Sequence, residues 1–142
     1  MRVHFIGHAS LLIEADDVTI LMDPIFGDPH YEGTAVMCPA RQVTPERLPP
    51  YSVIAISHRH LDHFDIRTLA SLDRSCAVLI PNGDSLLADA IGRLGFSRCQ
   101  PVADGQGHRT SPVPLKLGGT PGRVLVEATH WPCGGTTMAL LE

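Results

Sequence analysis

Residues Ser52–Ser57 read SVIAIS and run without a break into His58-Arg59-His60-Leu61-Asp62-His63. The first segment is apolar on successive residues, the pattern of a strand buried on both faces. The alternation of such strands with the helices expected beyond this one suggests an α/β layer architecture. The polar residues that follow it then fall at the edge of the sheet, where the chain leaves the core. In an extended stretch positions i and i+2 point the same way, so His58 and His60 can grip one cation together. Asp62 and His63, where the chain turns toward a helix, can face a second cation beside the first. Imidazole with carboxylate suits zinc, and also iron or manganese. Two adjacent cations can share a hydroxide and hold it as a nucleophile. A lone histidine reads as a surface or satisfied core residue. Three histidines and an aspartate at this spacing, behind a strand, are hard to explain by packing, and they predict divalent-metal binding.

The flanking sequence predicts how that strand is housed. Arg2–Ile6 alternates, Ser10–Ala15 is an apolar run, and Asp16-Asp17 suits a tight turn into the β-branched Val18–Met22. A β-meander closing at Asp23-Pro24 follows. Six prolines and two glycines between Pro24 and Pro50 make that stretch a long loop. Beyond the histidine segment a short helix is expected over about 66–72, N-capped by Asp65. Cys76–Ile80 reads as another buried strand stopped by Pro81, and Ser85 opens a helix that Gly95 ends. Further on, Leu115–Leu117, Val124–Ala128 and Met138–Leu141 read as strands. The last of these runs into the C-terminus, as expected of a fold that is not finished.

Composition excludes several classes. Of 142 residues, 44% are apolar and 18% charged, which rules out wholesale disorder. A net charge of −4 without a basic cluster argues against phosphate-backbone binding, and 5% aromatics leave little for base stacking. No nucleic-acid partner is expected. The longest apolar run, Cys76–Ile80, is far short of the ~20 residues that span a bilayer. No secretory leader is visible, so a soluble, cytoplasmic protein is expected. Cys38, Cys76, Cys99 and Cys133 show neither zinc-ribbon nor disulfide spacing, and Cys76 and Cys99 read as small core residues.

Set beside these pieces, Ile6-Gly7-His8-Ala9-Ser10, Leu21-Met22-Asp23-Pro24, Cys38-Pro39-Ala40-Arg41 and Leu48-Pro49-Pro50 sharpen the picture. With HxHxDH behind an apolar strand, the chain resembles the metallo-β-lactamase superfamily. The branch it resembles contains N-acylphosphatidylethanolamine phospholipase D and L-ascorbate-6-phosphate lactonase. The match is specific through residue 80 and fades after residue 103. The resemblance implies an αββα sandwich with metals at the sheet edges between two similar halves. Residues 1–142 would form one such domain, C-terminally incomplete, with the first half and part of the second.

Carried over position by position, His58 and His60 would bind the first metal, and Asp62 and His63 the second. Asp62 also stands where the family has its proton-handling carboxylate. The next family ligand, a histidine after a strand, is best matched by His130, with His108 a weaker rival. The family's bridging aspartate and further histidine have no counterpart, because no Asp or His follows Trp131. A fragment, a shortened protein with an incomplete second site, and an altered reading frame beyond about residue 105 all fit. Asp23 either orients a ligating histidine or caps the turn before Pro24. His8 either lines the cleft or ends a strand, and Arg41 reads as a solvated loop residue ahead of an anion binder.

Two functions follow. One is a metal-dependent hydrolase of an ester, lactone or phosphodiester, a small molecule of unknown identity, with one or two divalent ions, zinc foremost, and Asp62 handling protons. The other is a truncated metal-binding domain without turnover, inert or completed by a partner in an oligomer. The short chain makes its own activity doubtful.

Overall fold

The computed structural model describes residues 1–15, 18–38, 40–41 and 43–103 in full, and the backbone of the strands at 108–109, 125–130 and 136–141. The expected turn at Asp16-Asp17 and the expected strand at Leu115–Leu117 lie outside the described residues.

Strands β1 (Arg2–Gly7), β2 (Ser10–Ala15) and β3 (Val18–Met22) form the expected antiparallel meander. β4 (Val53–Ala55), β5 (Ala77–Pro81) and β6 (Cys99–Val102) then add in parallel, giving one sheet in the order β1-β2-β3-β4-β5-β6. Helix α1 (Ile66–Ser71) links β4 to β5, and α2 (Ser85–Arg93) links β5 to β6. β7 (His108–Arg109), β8 (Leu125–His130) and β9 (Thr136–Leu141) form a separate antiparallel sheet. Among the described residues, no helix is long and apolar enough to cross a membrane.

The continuous apolar runs are explained by burial on both faces of the first sheet. Ile54, Val78 and Ile80 pack with Leu69 of α1 and with Leu87 and Ile91 of α2. The alternate residues Val53, Ala55 and Leu79 belong to a second cluster with Ile20 and Val102. Both helices start as expected. Asp65 accepts the Arg67 N–H at 3.2 Å, and Asp84 accepts that of Leu87 at 3.0 Å. Gly95, at φ +92, follows the end of α2.

Several element ends differ from the sequence reading, β8 covering Leu125–His130 and β9 Thr136–Leu141 among them, and β6 was not expected. β4 stops at Ala55 rather than Ser57, because the Ser57 N–H leaves the ladder for the Asp23 carboxylate. β5 begins one residue later than expected and includes Pro81. β6 carries Pro101 within four residues, which hid it as a strand; at the sheet edge a missing N–H is tolerated. Cys76 is a core residue as expected, its thiol pushed up to about 11 by burial.

Leu79 is fully buried and Leu86 is 67% exposed. Leu79→Ala should therefore cost about 2–5 kcal/mol in urea unfolding, and Leu86→Ala no more than about 0.5 kcal/mol.

Candidate metal centre

Met22 of β3 pairs in register with Ala55 of the parallel β4, so Asp23 and the segment from Ile56 onward leave the sheet side by side. Asp23 is 1% exposed. Its Oδ1 accepts the Ser57 backbone N–H at 2.7 Å. Its Oδ2 accepts the Ser57 hydroxyl at 2.6 Å and His63 Nδ1–H at 2.8 Å. Having donated to Asp23, Ser57 Oγ accepts from His58 Nδ1 at 3.0 Å. The hydrogen-bond network thus assigns the Nδ1 proton to both His58 and His63 and leaves each Nε2 with its lone pair. Asp23 holds this position at φ +41. Its N–H donates to Ala55 O at 2.8 Å, and its carbonyl accepts the buried Ser10 hydroxyl at 2.7 Å. Asp23 therefore orients histidines, the first of its two sequence readings.

Two sets of donors converge beside this network, and Asp62 belongs to both. In the first, His58 Nε2 and His60 Nδ1 stand 3.0 Å apart with the Asp62 carboxylate alongside. In the second, Asp62 Oδ2 lies 3.1 Å from His8 Nε2 and 3.7 Å from His63 Nε2. Within each set all ligand atoms lie within 4.8 Å of one another. Donors bound at 2.0–2.1 Å to a tetrahedral ion stand about 3.4 Å apart. The two sets accordingly fit first-row divalent cations, and the Asp23 network is the outer support such ligands need.

The charge states of His58 and Asp62 suit a cation. Burial lowers the pKa of His58, helped by His63 and His60, against the pull of Asp23 and Asp62. Burial also pulls on His63, but the hydrogen bond and charge of Asp23, with the charge of Asp62, outweigh it and raise its pKa. Burial would raise Asp62; a backbone N–H and the hydrogen bond from His8 overcome that and hold it below the usual carboxylate range. Asp62 is thus anionic and His58 neutral at neutral pH, the forms that bind cations.

The family model described as "Beta-lactamase superfamily domain" matches residues 2–133. The chain belongs to this superfamily. Its described architecture is a partial metallo-β-lactamase-like α/β fold. Among curated relatives, a UPF0173 metal-dependent hydrolase of Salinibacter ruber is 37% identical over 84 residues, covering 58% of this chain and 31% of that protein. An uncharacterized protein of Mycobacterium tuberculosis is 34% identical over 76 residues, 51% of this chain and 20% of that one. This chain therefore spans a third or less of the length of these two curated relatives. In fold it is similar to CmlA, a diiron β-hydroxylase of Streptomyces venezuelae (TM-score 0.70, 21% identity, 98% of this chain and 27% of that one).

Within this superfamily member, four of the five expected metal ligands, His58, His60, Asp62 and His63, lie in one cluster. The fifth, His130, ends β8 and pairs with Thr136, and its side chain lies outside the described residues, as does that of His108. Arg41 corrects its solvated-loop reading. Its Nε and both Nη atoms are buried and have no hydrogen-bond partner among the described residues, and its Cζ stands 5.9 Å from the Phe26 ring centroid. Burial lowers its pKa against the charges of Asp28 and Asp65. The loop closes over Gly7, at φ +142, where a Cβ would come within 2.7 Å of Met37 Cε. His30 was not singled out from sequence; it is 4% exposed, with its ring 5.6 Å from that of His8. A single histidine in a proline-rich loop carries no local signal.

In the metal-free protein His63 should titrate above 6.5 and His58 below it by NMR. His63 then stabilises the fold fully below pH 6.5, and this contribution is lost as pH rises through its raised midpoint. Asp23→Asn should lower the His63 midpoint, since the burial that depresses it remains. An unchanged midpoint in that variant would contradict the network. Arg41→Met should unfold no more easily than wild type, because it removes an unpartnered buried group worth about 1–3 kcal/mol of penalty; a clear loss of stability would mean that the guanidinium is bonded.

Proposed function

We propose that this chain is the metal-binding part of a hydrolase acting on an ester, lactone or phosphodiester of a small molecule. The observation that carries the reading is the buried Asp23–Ser57 pair, which engages Nδ1 of His58 and His63 and leaves Nε2 of each as the donor atom, His63 Nε2 at 3.7 Å from Asp62 and His58 grouped with His60 and Asp62. Membership of the superfamily and the metal-dependent hydrolase named in Salinibacter ruber support it. His58 and His60 would hold the first cation, with His130 as a further ligand, and Asp62 and His63 would face the second. Zinc, iron and manganese all suit this donor set. A bound cation supplies Lewis acidity and a water acidified to near-neutral pKa.

The chain's own residues would do the rest. Asp62, partly exposed and held anionic, takes a proton from the attacking water and returns it to the leaving group. Asp23 keeps the Nδ1 proton on His63, so that imidazole stays turned toward the cleft. A cytoplasmic location belongs to the same reading, as does a single domain over residues 1–142.

A second reading is a metal-binding domain without turnover, completed by a partner. The observation in its favour is the coverage of only 20–31% of the curated relatives. Their residual length would supply cleft walls that orient substrate.

Elemental analysis of gently purified protein should find a transition metal near stoichiometry, lost in the double variant His58→Ala/His60→Ala. Metal-free wild type that cannot be reloaded with zinc, iron or manganese would end the metal-binding reading. Against bis(p-nitrophenyl) phosphate and a simple lactone, turnover should be slow, and Asp62→Asn should reduce it by roughly 10²-fold or more. Absence of any metal-stimulated turnover in loaded protein would favour the domain without catalysis.

A further inference from the structure

We propose that His8 is a ligand of the second cation, held jointly by His8 Nε2, Asp62 and His63 Nε2. This rests on the metal-binding reading above and extends it to a residue outside the histidine motif.

Turn chemistry does not explain the residue. His8 stands between β1 and β2 at φ +54, directly after Gly7 at φ +142. Hairpin turns with positive φ favour Gly, Asn or Asp, and a left-handed conformation costs other residues about 1–2 kcal/mol. Histidine tolerates this conformation, but nothing in the turn calls for it ahead of glycine or asparagine. Burial does not explain it either, because the side chain is 36% exposed and water could satisfy its nitrogens.

Its position does. The turn carries the ring across to a residue 54 positions away, with Nε2 at 3.1 Å from Asp62 Oδ2. His63 Nε2 approaches the same oxygen at 3.7 Å. These separations bracket the roughly 3.4 Å edge of a tetrahedral site. The His8 and His63 rings meet edge-on with centroids 5.7 Å apart, so they do not stack, and their nitrogens converge on one carboxylate. His63 has its other nitrogen committed to Asp23, which fixes Nε2 as the free donor. With His8, the second position has three protein donors, the number an open catalytic zinc site requires. Without it, the histidine motif offers only Asp62 and His63. The competing account is that His8 merely hydrogen-bonds Asp62 and positions it.

The two accounts separate by metal counting. Metal-free protein is titrated with Co²⁺, following the visible ligand-field absorbance, and Zn²⁺ content is measured after equilibrium dialysis. The variants are His8→Ala, His8→Asn and His8→Gln. Asparagine suits the left-handed turn and so preserves folding, and glutamine carries its amide N–H to the position of His8 Nε2 and so keeps a donor for Asp62. Wild type should take up a second equivalent that all three variants lose, while the equivalent bound through His58 and His60 remains. His8→Gln that binds both equivalents with wild-type affinity and spectrum would overturn the proposal and make His8 a positioning residue. Wild type that binds no cation at all would instead defeat the metal-binding reading itself.

Discussion

The Asp23 carboxylate is the interaction on which the rest of the site depends. A carboxylate withdrawn from water costs several kcal/mol unless its oxygens are satisfied. Here three donors meet it, from the Ser57 backbone, the Ser57 hydroxyl and His63. Hydrogen bonds to a charged group contribute about 1.5–3 kcal/mol each, so the buried charge is held only while all three partners stay in place. That requirement couples the end of β3, the end of β4 and the histidine segment into one unit.

The sheet makes this coupling available. Because β3 and β4 run parallel and in register, their C-terminal ends open at the same edge, where open α/β sheets place ligands. The long loop after Pro24 is tied back to the same edge at its start. Ile25 donates to Ser10 Oγ at 3.1 Å, and Phe26 donates to Thr68 Oγ1 at 2.9 Å. Thr68 in turn donates to the α1 cap residue Asp65 at 2.8 Å. The helix that closes the motif therefore also anchors the loop beside it.

What could be read from sequence follows the range of the interactions. The pairing of His58 with His60 is visible because strand geometry aligns positions two apart, and the helix cap at Asp65 is local in the same sense. The roles of Asp23 and His8 stayed open because their partners lie 34, 40 and 54 residues away, set by sheet register and a turn rather than by spacing. A loop arginine is normally solvated, and only the packing of the loop over Gly7 and Phe26 buries the Arg41 guanidinium. β6 was missed because Pro101 breaks the strand pattern at a position where only an edge strand accepts it.

One buried carboxylate sets the tautomers of two histidines. Long-range ¹H–¹⁵N correlation spectra of the metal-free protein, recorded above the titration of His63, report which ring nitrogen carries the proton. His58 and His63 should both be protonated at Nδ1 with Nε2 unprotonated, and His63 should lose this preference in Asp23→Asn. Nε2 protonation of His63 in the wild-type protein would contradict it.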